Sequence, residues 1–254
     1  MTLKQERAQN QFRRLFINSF LIDVSYIGVF VFGMLSILVA RLVFNLDHSD
    51  WYERTVPTIS KTAAFEPASS YFSVIMGLSG ICILVCWTYT YFFNHFCLKS
   101  LGKPAVPFYK WNYLTFFLGL GQGMSVIMMS AISLETNEYL HILFSIGTFT
   151  FGALSFVSES YFLGPWRKLC QQRPHVSYKI RRICALVVSA LSLMLLYFFI
   201  FRKSGHFADF YTTQIFYVMC EHLLATLSFS YSLMLLWENR GQLLQMKRKL
   251  TAYD

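Results

Sequence analysis

Three side chains in this sequence stand out because their types could do chemistry where such groups are scarce. Glu221 and His222 fall inside a long apolar segment, and His141 opens another. Ionisable groups in a hydrocarbon layer are costly and are candidates for function by default. A carboxylate and an imidazole meeting there could orient a lipid headgroup or act as acid and base on an ester. The plainer alternative is a buried Glu–His pair that locks two helices together. Neighbours on a helix point about 100° apart, so Glu221 and His222 cannot both face one partner. Asp23 and Glu159 form a second acidic set, which could pair with nearby basic residues by snorkelling.

The elements that must position these groups are helices of membrane length. Of 254 residues, 55% are hydrophobic and only 14% charged, against about a quarter charged in soluble domains. The charges come in clusters between long apolar runs. Six runs meet the requirement of about 20 apolar residues: 24–44, 71–96, 111–132, 141–163, 183–201 and 216–237. The fold class expected is therefore all-α, a single six-helix transmembrane domain. The polar basic lead-in and the length of the first apolar run suggest a signal anchor, not a cleaved leader.

Basic residues set the expected orientation. With the N terminus in the cytoplasm, Arg13, Arg14, Lys99, Lys103, Lys110, Arg167, Arg173, Lys179, Arg181, Arg182 and Lys247 to Lys249 all fall on the inner side. Asp47, Asp50, Glu53, Glu66, Glu135, Glu138 and Asp209 fall outside. Both termini are then cytoplasmic. The net charge of +9 flanks spans instead of forming a patch on a soluble fold, so nucleic acid is not an expected partner. Arg173, Lys179, Arg181 and Arg182 are candidate contacts for anionic lipid, although such residues also serve simply to set topology.

Gly119 and Gly123 make a small-xxx-small pair suited to close helix packing, with Gln122 between them bonding across helices. Cys97 and Cys170 lie beside spans, where palmitoylation is an option against ordinary reduced thiols. No phosphate-binding glycine loop, GxSxG or HExxH occurs, and the histidines lack metal-ligand spacing. No metal or other cofactor is expected. An enzyme, if this is one, would do acyl transfer or ester chemistry on a lipid.

The loop at 45–70 carries a recognisable pattern. Val56-Pro57-Thr58-Ile59-Ser60-Lys61, then Pro67, Ser69 and Phe72, resembles the outer loop of the DRAM/Sfk membrane-protein family. His141 with Gly147 and Phe151-Gly152 resembles its fourth helix. Cys220-Glu221-His222 and the Trp237-Glu238 ending resemble its last helix, closest to the GPI-remodelling branch. Cysteines usual in that outer loop are absent, and Ala63-Ala64 replaces a usual glycine. The family includes damage-regulated autophagy modulators, a yeast protein supporting plasma-membrane phosphoinositide synthesis, the post-GPI-attachment-to-proteins factor, and the N-terminal part of a yeast cell-wall-biogenesis protein. The resemblance implies six helices with cytoplasmic ends and membrane lipids as partners. It also implies lipid remodelling of GPI-anchored proteins in the Golgi or endoplasmic reticulum. The alternatives are a scaffold for a lipid kinase complex at the plasma membrane and a lysosomal autophagy modulator.

Overall fold

The computed structural model describes residues 19–48, 56–101, 106–163, 176–201 and 210–251. Six long helices carry the chain: α1 Ser19–Asp47, α2 Ala68–Leu101, α3 Val106–Ala131, α4 Glu138–Val157, α5 Val176–Phe201 and α6 Phe210–Thr251. All six include stretches long and apolar enough to cross a membrane. Most extend beyond the apolar runs by a turn or more, because polar rim residues continue a helix that hydropathy alone cannot follow.

Local chemistry fixes several ends. Pro107 sits in the first turn of α3, where its missing N–H is not needed. Asn137 caps α4, its side-chain oxygen accepting from the Leu140 N–H at 3.1 Å, and Glu138 in the first turn complements the helix dipole. Beyond Val157, α4 continues as a π-helical turn, Ser158–Leu163. The wider turn brings Ser158, Glu159 and Ser160, three consecutive polar residues, all into buried positions.

Consecutive helices pack side by side, and α6 returns to pack on α1, closing a ring. Lipid tails are as apolar as leucine, so close packing and interhelical hydrogen bonds must hold such a ring. Both are present. An added Cβ on Gly80 of α2 would lie 3.2 Å from the Gly123 carbonyl of α3, so glycine permits that backbone approach. Gln122 bonds across helices as expected, accepting from the Trp87 indole at 3.2 Å. Tyr26 of α1 pairs with Thr90 of α2 at 2.6 Å and accepts from Asn239 of α6 at 3.1 Å. The outer faces carry exposed Leu, Val and Phe, while many of the polar side chains point inward, the reverse of a soluble bundle.

Candidate functional site

The short connections and cross-helix bonds define two ends of the ring. At one end the loop between α1 and α2 folds back over the helices. Thr58 caps a single helical turn, Ile59–Thr62, accepting from the Lys61 N–H at 3.0 Å. The loop is tied down from three sides. Arg41 of α1 donates to the Pro57 carbonyl at 2.8 Å, and Gln214 of α6 to the Val56 carbonyl at 3.3 Å. The buried carboxylate of Glu221 accepts from the Ile59 N–H at 2.8 Å.

Beneath this loop lies a cavity of about 400 Å³, lined by residues from all six helices. Its walls are mostly apolar. Two carboxylates and one imidazole among the described residues line it, from Glu138, Glu221 and His141, all near the loop end. His141 is 3% exposed. Its Nδ1 lies 2.6 Å from the Ile132 carbonyl, which can only accept, and its Nε2 has no hydrogen-bond partner. In the neutral ring the proton therefore sits on Nδ1 and Nε2 presents a lone pair.

The side chains singled out from the sequence are thus partly brought together. His141, Glu221, Ile59, Ser60 and Phe72 border the one cavity. His222 does not line it; its Nδ1 bonds the Val218 carbonyl of its own helix at 2.8 Å. Pro57 is a buried residue of the loop itself. Lys61 lies over the Phe65 ring at 4.6 Å, while Pro67 and Ser69 take part in the turn that starts α2. Further hydroxyls line the cavity on helical spacing: Ser145 and Thr148 one and two turns beyond His141, and Ser189 and Ser192 on α5. Spacings of i, i+4 and i+7 within an apolar span were a legible signal for the α4 stripe.

At the other end, Arg181 corrects an expectation. It is fully buried and does not face lipid headgroups. Its guanidinium is paired with Glu159, and with Glu238 at 2.5 Å, and donates to the Tyr231 hydroxyl at 3.2 Å. A forked guanidinium can bridge two carboxylates in this way, which accounts for its inward course. Glu159 accordingly meets its cation inside the bundle and not at the rim. Lys179 is exposed, and Arg182 is half-buried with its guanidinium 4.2 Å from the Tyr161 ring centroid. Arg173 and Cys170 lie outside the described residues, and Cys97 is buried, which withholds it from palmitoylation. Asp23 is paired with Arg240 of α6. Sequence reasoning missed Glu238 and Tyr231 as members of the Arg181 group. The clue was the register of Tyr178, Arg181, Ala185 and Val188, which share one buried face of α5.

Gln122 and Ser228 border both the large cavity and a second of about 20 Å³ walled by Trp87, Phe156 and Tyr231. Among the described residues no cluster of three His, Cys, Asp or Glu side chains is arranged to hold a metal ion. The whole arrangement is suited to holding an elongated, largely apolar molecule with a polar group near the loop.

No curated protein and no solved structure matches the chain. The family model described as the Frag1/DRAM/Sfk1/Cwh43P N-terminal domain matches residues 18–240, nearly all of the six-helix ring, and the chain belongs to that family.

Proposed function

We propose that this multi-pass membrane protein binds a membrane lipid in the cavity beneath the loop and serves in lipid remodelling of GPI-anchored proteins. The observation that carries the reading is the cavity itself, closed above by a loop pinned to Glu221 and bordered by the unpaired Nε2 of His141. Its size falls in the ~300–1,000 Å³ range of small-molecule sites. Family membership supports a role in lipid handling by analogy. With the basic rim on the cytosolic side, the loop end faces the lumen of the Golgi or endoplasmic reticulum, where a GPI lipid would be reached. In an ester cleavage or acyl transfer, the His141 Nε2 would take the proton of the water or hydroxyl that attacks the ester carbonyl and return it to the departing alkoxide as the ester C–O bond breaks.

The test is Glu221→Gln, which keeps an acceptor for the Ile59 N–H and removes the charge. In cells lacking the endogenous protein, the variant should reduce surface retention of a GPI-anchored reporter and alter its lipid composition. Unchanged retention and composition at normal expression would refute the role. A scaffold acting through its basic rim, at the plasma membrane, is the second reading. It would instead depend on Lys179 and Arg182, the two rim candidates among the described residues whose side chains are not fully buried. Placement on lysosomes would favour autophagy modulation.

A further inference from the structure

We infer that a lipid enters this cavity sideways, its acyl chain passing between α4 and α5, and that its headgroup is one that offers hydroxyl or ammonium donors. The inference rests on the lipid-binding reading above and names the mode of entry and the ligand class.

The side opening is marked by residues that border the cavity and also face outward. Leu193 of α5 lines the cavity yet is 70% exposed, and Ile146 and Leu154 of α4 do the same at 37% and 49%. Side chains that face both ways form the rim of an opening. Its depth follows from the helices. Ile146 lies eight residues from the α4 start at Glu138, and Leu193 eight from the α5 end at Phe201. At 1.5 Å per residue each sits about 12 Å below the loop end. That is close to the middle of a hydrocarbon layer of ~30 Å. A water-soluble ligand would have to cross acyl chains to arrive there, whereas an acyl chain is already present at that depth. Along α4 the lining runs from Glu138 to Leu154, about 24 Å at the same rise, an elongated shape that suits a chain.

The headgroup class follows from which hydrogen-bonding capacity the walls leave open. Nearest the loop end, the Ser145 hydroxyl donates to the His141 carbonyl at 2.8 Å, so its donor is used and a lone pair remains. Ser189 and Ser192 bond their own helix in the same way but lie deeper, beside the acyl chain. His141 adds the buried, unpartnered Nε2, and Glu138 and Glu221 bring carboxylates to the same end. The nearby cations are turned elsewhere: Arg41 binds the Pro57 carbonyl and Lys61 covers Phe65, and neither lines the cavity. The two carboxylates and the imidazole lone pair at the loop end complement a polyol or an amine, and the carboxylates repel a bare phosphate monoester.

The experiment uses the full-length protein in nanodiscs with three photoactivatable lipids of identical diazirine-bearing chains. Their headgroups are phosphoinositol, phosphoethanolamine and the phosphate monoester of phosphatidic acid. Adducts should map to the α4 and α5 walls near Ile146, Leu154 and Leu193. At least one of the first two lipids should label these walls about five-fold more than phosphatidic acid, roughly the worth of one hydrogen bond. Whichever leads distinguishes a hydroxyl-bearing from an ammonium-bearing ligand. His141→Phe should narrow that ratio while chain adducts persist. Leu193→Trp at the rim should lower cavity labelling and leave labelling of the outward Leu38 and Leu42 unchanged. Adducts confined to outward faces, equal or stronger cavity labelling by phosphatidic acid, or indifference to Leu193→Trp would each overturn the inference. Cavity labelling with a normal GPI reporter in Glu221→Gln cells would leave this site standing and remove the proposed role. A defective reporter without cavity labelling would do the reverse.

Discussion

The two ends of the ring hold similar residues to opposite effect. At the end opposite the loop, Arg181 is gripped by Glu159, Glu238 and Tyr231, and the neighbouring void of about 20 Å³ has room for about one water. At the loop end, Glu221 and His141 border some 400 Å³ of empty space. Ionisable groups inside a membrane are thus not alike. Where such charges are paired in a packed interior they lock helices together, and where volume is left beside them they can meet a ligand. Mutations at the first end should therefore register chiefly in stability, and those at the second chiefly in function.

The largest effect expected is from Arg181→Met. It strands two buried carboxylates, a change that costs about 3–5 kcal/mol where a buried pair is broken. Detergent-solubilised protein should melt at much lower temperature or fail to purify as a single species. Adding Glu159→Gln and Glu238→Gln to that variant should restore most of the loss, because the uncompensated charge is gone. Next comes Gly123→Leu, whose side chain would collide with Leu84 and the Gly80 carbonyl of α2 and should cost about 1–3 kcal/mol by overpacking, read in the same melts.

Glu221 sharpens the contrast. Glu221→Ala leaves the buried Ile59 N–H without its acceptor, about 1–3 kcal/mol. That loss should appear as faster amide hydrogen exchange at Ile59–Thr62. Glu221→Gln should leave exchange there near normal while still disabling the GPI reporter. Equal exchange in the two variants would mean that the loop does not depend on this carboxylate. The smallest effect is expected at Arg240→Ala. Arg240 is 47% exposed beside Asp23, and such a pair contributes about 1 kcal/mol or less and weakens with salt.

The six helices were legible because hydrocarbon-length apolar runs and clustered charges are strong, local signals. The candidate site was legible in part. Glu221 and His141 announced themselves as rare ionisable groups within spans. That they border one cavity depends on closure of the ring by α6 and α1, a long-range pairing that no local pattern encodes. Arg181 misled because it sits in a run with Lys179 and Arg182 and shares their composition. Only the phase of the helix, extended upstream through Tyr178, turns it inward while its neighbours face outward. His222, next to Glu221 in sequence, lies on a different face, as the 100° step between neighbours requires; it does not border the cavity, and its Nδ1 bonds the Val218 carbonyl of its own helix.

Native mass spectrometry of the full-length protein released from nanodiscs tests the central claim most directly, alongside Ala153→Phe, which places a ring in the cavity wall. The account predicts one retained lipid per chain in the unaltered protein and none in the folded variant. An unaltered chain that carries no lipid, or a variant that keeps the same lipid as firmly, would contradict it.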